Sequence, residues 1–298
     1  MEKMRFEKYH GLGNDYLVYD CYKNVTQLDS GKVQRICERH YGFGSDGILS
    51  GPGWGKKVWK KDSNEVLEER FGVTIWNPDG SQAEKSGNGV QIFARYLKDS
   101  GYVTGNSCVV EMMGGEVQVD YLNSSGSSIR TSMGTLAFDA KSIGAVHVPD
   151  GYREEMVEVP LVFDGEIVKC SCVSVGNPHC VIAAPELSRE RVCQLGKAAE
   201  QSPYFPKRIN MNLVRVVDRQ HMEMEIYERG AGYTLASGTS CCAAVGVMYR
   251  IGKVDSRVLV SMPGGTLEVE MTPEGLVYLT GEVQKVGTMI LTPSFLEK

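Results

Sequence analysis

The sequence predicts an α+β fold of two pseudo-symmetric domains, each a strand-rich, barrel-like sheet around one central helix. Three observations carry this. Short β-branched and aromatic runs alternate with Gly, Asn, Asp and Ser clusters along nearly the whole chain. Few helical stretches interrupt them. Two of those stretches, about half the chain apart, open with the same Ser-Gly pattern.

The strand-like runs, in order, are Tyr16 to Tyr19, Val73 to Trp76, Cys108 to Met112, Val117 to Tyr121, Cys172 to Val175, Asn212 to Val217, Met222 to Tyr227, Arg257 to Ser261, Leu267 to Met271 and Val277 to Thr280. Val33 to Arg39 reads as a short helix before a Gly-rich turn. Residues 88–99 carry apolar groups near helical spacing, and residues 239–251 are apolar almost all round, as a helix buried on every side would be. Gly101 and Gly252 follow as stop signals.

The first long helix follows Ser86-Gly87-Asn88-Gly89 and the second Ser237-Gly238-Thr239-Ser240; a β-like run and a turn precede each, Trp76 to Gly80 and Glu228 to Gly232. This points to an internal duplication. The polar stretch Asn123 to Ser128 reads as a hairpin tip, which puts the boundary near Met133-Gly134, with domains at 1–134 and 135–281. Trp54, Trp59 and the charged run Lys56 to Arg70 read as a surface loop or hairpin of no derivable function.

A chain of 298 residues can bury one large core or two ordinary ones. A net charge of −5 with no basic block argues against a nucleic-acid or anionic-membrane partner. The apolar runs fall short of the roughly 18–20 residues that span a bilayer. Met1 to Phe6 lacks the apolar core of a secretion signal, so cytoplasmic residence is expected, and a homodimer stays open. Nine cysteines, odd in number and irregular in spacing, make no disulfide framework. Cys170-Ser171-Cys172 and Cys241-Cys242 have no second ligand pair at zinc-like spacing, so they read as small buried residues and no metal is expected.

Free amides and the positive dipole end make a helix start an anion site, and glycine beside it lets a ligand approach the backbone. Two such starts facing each other across an interdomain cleft would hold a carboxylate and stabilise the charge that develops when its neighbouring Cα–H is removed. One residue on each side of that carbon could then take a proton from one face and return one to the other. Stereoinversion needs that arrangement and no cofactor.

These segments resemble the diaminopimelate epimerase family in order: His10-Gly11-Leu12-Gly13-Asn14-Asp15, Gly44-Ser45-Asp46-Gly47, Asn77 to Ser81, Gly87-Asn88-Gly89 with Phe93 to Tyr96, Gly176-Asn177-Pro178-His179, Asn210, and Glu228-Arg229-Gly230 with Gly238-Thr239. The resemblance runs from Phe6 to Val286. It implies a cofactor-independent isomerase of amino-acid (lysine) biosynthesis, acting on LL- or meso-diaminopimelate from a site between the two domains. It also implies that a last strand, here Val286 to Leu291, returns to the first domain, which assigns 282–298 there.

By the same resemblance, Asn14, Asn77, Asn177, Asn210, Glu228 and Arg229 would bind substrate, most of them at its distal end. Gly87-Asn88 and Gly238-Thr239 would present amides to the reacting carboxylate. His179 and Glu228 would tune the acid–base pair. Gly47 stands where some members carry a binding glutamine. Without the resemblance, the asparagines read as turn residues, Glu228-Arg229 as a solvated strand end, and His10 and His179 as hydrogen-bonded structural histidines.

One departure matters. Positions 86 and 237 are the family's two catalytic cysteines, and both are serine here. A thiol at a helix start ionises near neutrality, whereas a serine hydroxyl needs a partner base. Lys85 adjoins Ser86, but adjacent residues at a helix start do not face one another. Three origins stay open: deliberate replacement of both sulfurs by oxygen, a natural branch using serine with another base or a bound water, or loss of catalysis with retained amino-acid binding. The alternative activities are racemisation of another amino acid such as histidine, or binding alone.

Overall fold

The computed structural model describes residues 3–59 and 66–296. The chain divides into two compact units, Met1–Thr131 with Gly281–Lys298, and Ser132–Thr280.

In the first unit β1 (Arg5–Gly11) and β2 (Asn14–Tyr19) form an antiparallel hairpin, and α1 (Ser30–Cys37) carries the chain to β3 (Ile48–Ser50), parallel to β2. A second hairpin follows, β4 (Gly55–Trp59) with β5 (Val66–Gly72), then β6 (Thr74–Trp76) against β3 and β7 (Gln82–Ala83) against β6. The central helix α2 (Gly87–Asp99) leads to β8 (Ser107–Met112), parallel to β5, and to β9 (Gly115–Tyr121) and β10 (Ser128–Thr135), each antiparallel to its predecessor.

The second unit opens with the short helix α3 (Ala140–Ile143) and the antiparallel set β11 (Val159–Phe163), β12 (Glu166–Ser174) and β13 (Pro178–Ala183). After α4 (Arg189–Glu200), β14 (Asn210–Val216) runs parallel to β13, with β15 (His221–Glu228) antiparallel to it and β16 (Gly232–Thr234) antiparallel to β15. The central helix α5 (Gly238–Arg250) leads to β17 (Arg257–Met262), parallel to β15, then β18 (Gly265–Met271) and β19 (Leu276–Glu282). The chain ends in the first unit with β20 (Gln284–Ile290), antiparallel to β1, and α6 (Pro293–Leu296).

The two units share one connectivity. The order β1-β2-α1-β3-β6-β7-α2-β8-β9 repeats as β12-β13-α4-β14-β15-β16-α5-β17-β18, with the same parallel and antiparallel pairings. β5 with β6 does the work of the single β15: one part pairs with the returning strand after the helix, the other with the short strand before it. β20 flanks β1 as β11 flanks β12, so the returning terminal strand completes the first repeat.

Each central helix lies against strands from both ends of its unit: α2 against β1, β2, β8 and β9, and α5 against β12, β13, β14 and β18. In α2, Val90, Ile92, Phe93, Ala94, Tyr96 and Leu97 are buried and join a core with Tyr9, Tyr16, Val18, Val110 and Val119. Full burial of a side chain such as Phe93 or Leu97 contributes about 1.5–3 kcal/mol. β2 alternates as a strand must. Tyr16 and Val18 face this core, while Leu17 and Tyr19 face a second one with Val33 and Ile36 of α1. α5 is buried from Ser240 to Met248, the all-round burial its composition predicts. Gly101 and Gly252 follow the two helices at φ +73 each, a left-handed turn that glycine takes without steric cost.

The hairpin expected at Asn123 to Ser128 joins β9 to β10. The Trp54 to Arg70 stretch is also a hairpin, whose tip at 60–65 lies outside the described residues. The sequence reading missed α4, whose apolar residues are separated by charged and polar ones, and strands such as β1 and β11; β20 overlaps the strand read at Val286 to Leu291.

Candidate active site

The site residues collect at the starts of the two central helices, one set in each unit. Ser86 and Ser237 are the N-cap residues of α2 and α5, with nearly the same extended backbone: φ −144, ψ 122 and φ −152, ψ 123. Each follows a short hairpin strand, β7 or β16. The duplicated sequence pattern is therefore a duplicated local structure, and each start presents amide N–H groups from Gly87-Asn88 or Gly238-Thr239.

In the first unit the Ser86 hydroxyl accepts a hydrogen bond from the Gly89 amide at 3.0 Å and lies 3.3 Å from the Tyr16 hydroxyl. Asn88 Nδ2 donates to Asn14 Oδ1 at 3.3 Å, and Asn14 Nδ2 donates to Asp46 at 2.9 Å. Strand β2 supplies both contacts, because Asn14 and Tyr16 are two residues apart and share the face turned to α2. Arg39 holds Asp46 and Asp15 at 2.7 and 2.9 Å, and Lys8 reaches Asp15 at 2.6 Å. Burial works against the Asp15 carboxylate, but Lys8 and Arg39 outweigh it and keep its pKa below the usual range. Asn77 closes the turn before β7, its amide donating to Ser81 Oγ at 2.9 Å. That is the turn role its neighbours Pro78 and Gly80 suit, and it leaves the Asn77 carbonyl oxygen outside that bond.

In the second unit Asn177 Nδ2 donates to Thr239 Oγ1 at 3.4 Å, and its Oδ1 lies 3.0 Å from His179 Nε2. An amide oxygen accepts, so Nε2 carries the hydrogen. Nδ1 is then the acceptor for Asn212 Nδ2 at 3.4 Å. This pattern fixes a neutral imidazole. Full burial, helped by the Arg229 charge, pushes its pKa down to about 3. Asn210 is buried and bridges elements: its Nδ2 donates to the Pro178 carbonyl at 2.9 Å, and its Oδ1 accepts the Arg229 amide at 3.0 Å. Glu228 is half-buried at the end of β15, and Arg229 is exposed beyond it, its guanidinium 3.3 Å from the Lys207 carbonyl. The Ser237 hydroxyl makes no capping bond.

Tyr16 escaped the sequence reading as a site residue. The signal was present: Gly13-Asn14-Asp15-Tyr16 and Gly176-Asn177-Pro178-His179 occupy the same place in the repeat, which sets Tyr16 opposite His179. His10 is a member of β1, its Nδ1 buried and without a hydrogen-bond partner among the described residues.

Cys241 and Cys242 are buried in α5, and burial pushes the Cys241 thiol well above its ordinary pKa, as a core residue requires. Cys170 and Cys172 gain a third neighbour that the sequence did not reveal, Cys180, directly opposite Cys172 in the β12–β13 ladder. The three sulfurs lie within 4.8 Å of one another, a donor set that could hold a thiophilic ion. They sit in an apolar cluster with Met156, Val168 and Ile182. Three thiolates around a monovalent or divalent cation would leave net negative charge in that cluster, which is costly without a counter-ion. The trio reads as core.

Two repeats of one α+β design, each with a serine at the N-cap position of its central helix, make up the fold. The chain belongs to the diaminopimelate epimerase family, whose sequence profile matches residues 6–138 and 171–286. It is 38% identical over 284 residues to "Diaminopimelate epimerase 2" of Nostoc sp., covering 95% of this chain and 94% of that one. It is 32% identical over 287 residues to the diaminopimelate epimerase of Moorella thermoacetica, covering 95% and 97%. Among solved structures the fold is similar to a Bacillus anthracis protein of the PhzF family, with TM-score 0.64, 14% identity and coverage of 98% and 100%. It is also similar to a hydroxyproline epimerase from Agrobacterium vitis, with TM-score 0.65, 12% identity and coverage of 98% and 94%. Among the described residues no helix is long and apolar enough to cross a membrane.

Proposed function

We propose that this chain inverts the α-carbon of diaminopimelate without a cofactor, Ser86 and Ser237 each exchanging a proton with one face of that carbon. The observation that carries this reading is the matched pair of helix starts, each with one of these serines at its N-cap position. Amides of Gly87-Asn88 and Gly238-Thr239 would take the reacting carboxylate and stabilise the charge that grows on it. Asn77, Asn210 and Arg229 suit the second amino-acid terminus, a polar group with both donors and acceptors. His179, held neutral, orients Asn177 and through it Thr239 without placing a positive charge in the site. Glu228 would balance Arg229 beside the substrate.

The test is solvent-deuterium incorporation at Cα of LL- and meso-diaminopimelate, by the chain itself and by its Ser86→Cys/Ser237→Cys form. Exchange in either supports the substrate assignment; no exchange in either sinks it. A panel including histidine then separates another racemase from a protein that only binds.

A further inference from the structure

We infer that Tyr16 is the proton partner of Ser86, a positioning residue that makes a serine serviceable where the family uses cysteine. This rests on the reading that Ser86 exchanges a proton with substrate.

A serine hydroxyl has one hydrogen and two lone pairs. The Gly89 amide takes one lone pair at 3.0 Å, and the Tyr16 hydroxyl at 3.3 Å can take the other as donor. The serine hydrogen is then free for a substrate atom. A phenol, with a reference pKa of about 10, is a far stronger acid than an aliphatic alcohol. In the protonating direction the Cα carbanion takes the Ser86 hydrogen while Ser86 Oγ takes the phenol hydrogen, so the negative charge moves from carbon to the phenolate. In the reverse direction the phenolate takes the Ser86 hydrogen as Oγ takes the one on Cα. No charge rests on a bare serine alkoxide, and no further reactant is needed.

Two other observations place Tyr16 in this role. Tyr16 is buried in the α2 core, its ring packed against Gly47. A Cβ at Gly47 would lie 2.4 Å from the Trp76 carbonyl oxygen and 2.7 Å from Tyr16 Cε1. The bare backbone at 47, where some relatives carry glutamine, leaves the room that the Tyr16 ring fills. In the repeat, Tyr16 stands where His179 stands in the second unit, and Gly47 stands where Asn210 stands: the pairing Leu17 opposite Ile48 continues one step back to Tyr16 opposite Gly47, as His179 is opposite Asn210. Each unit thus sets one hydroxyl- or imidazole-bearing side chain behind its helix start.

The experiment measures Cα deuterium exchange from each stereoisomer across pH, for Tyr16→Phe in the serine chain and in the Ser86→Cys/Ser237→Cys background. In the serine chain Tyr16→Phe is expected to cut exchange 10- to 100-fold, remove the rise of rate with pH, and act on the step that uses Ser86. In the cysteine background the loss stays under 3-fold, because a thiol ionises unaided. Tyr16→His, which copies the second unit, recovers part of the rate. Equal losses in both backgrounds, or no loss in the serine chain, overturn the assignment. So does a silent serine chain beside an active cysteine form, which leaves the epimerase reading standing. Silence in every form defeats both.

Discussion

The starts of α2 and α5 share sequence pattern, backbone conformation and place in the repeat, yet their serines sit in different chemical surroundings. Ser86 Oγ is held by the Gly89 amide and faces a phenol. Ser237 Oγ makes no capping bond, and at the position of Gly89 the second unit has Ser240, whose own hydroxyl is buried without a hydrogen-bond partner among the described residues. Behind Ser86 stands Tyr16; in the same place in the second unit stands a neutral imidazole that reaches the helix start through Asn177. Duplication copies the scaffold, and the two copies then diverge around the serines proposed to move protons.

The largest expected effect comes from deleting either hydroxyl. Ser86→Ala and Ser237→Ala should each lower Cα exchange by about 100-fold or more, the range of a lost general acid or base. Stability should separate them. Ser86→Ala removes a helix cap and should cost about 1 kcal/mol, whereas Ser237→Ala should change urea stability by less than about 0.5 kcal/mol. Equal destabilisation would break the comparison.

Acid should strike the second unit harder. The folded His179 has its pKa near 3, below the reference value for an unfolded histidine of about 6.5. Between those values the unfolded chain binds the extra proton, so stability is full above about 6.5 and falls as pH drops toward 3, with a slope of at most about 1.4 kcal/mol per pH unit. Urea melts at pH 7, 6, 5 and 4 should show that slope, and His179→Gln should flatten it. Depressed carboxylates such as Asp15 keep their full contribution above the ordinary carboxylate range and lose it only as the pH falls below that range.

A third contrast concerns the positions behind these two residues. Gly47→Ala should cost about 1–3 kcal/mol by driving a methyl into the Trp76 carbonyl and the Tyr16 ring. Asn210→Ala should cost a similar 1–3 kcal/mol for the opposite reason, by orphaning the Pro178 carbonyl and the Arg229 amide. Chemical denaturation checks both, and the Gly47 variant should also lower exchange because it displaces Tyr16. The smallest effect is expected at Cys241→Ala, about 1 kcal/mol of stability with Cα exchange unchanged, since that thiol packs against Met224 and Met262 inside α5's core.

Much of this was legible in the linear chain. Strand alternation and two helices with Ser-Gly starts and glycine stops follow from local rules, and α2 and α5 run over Gly87–Asp99 and Gly238–Arg250, close to where periodicity puts them. α4 was missed although Val192, Leu195, Gly196 and Ala199 stand at helical spacing and pack on β14 and β15, because its apolar face is short and interrupted by charged and polar residues. The edge strand β11 pairs with a partner that the sequence gives no means of choosing.

By itself the sequence determined the repeat, the serines at both helix starts and the residues that mark the family, because these depend on spacing along one chain. Only the tertiary structure decided which side chains meet: Tyr16 behind Ser86, Cys180 opposite Cys172, and Asn212 fixing the tautomer of His179. Those contacts depend on strand register and on which face a neighbouring element covers. Register is set by pairings between segments far apart in the chain, so no local pattern encodes it.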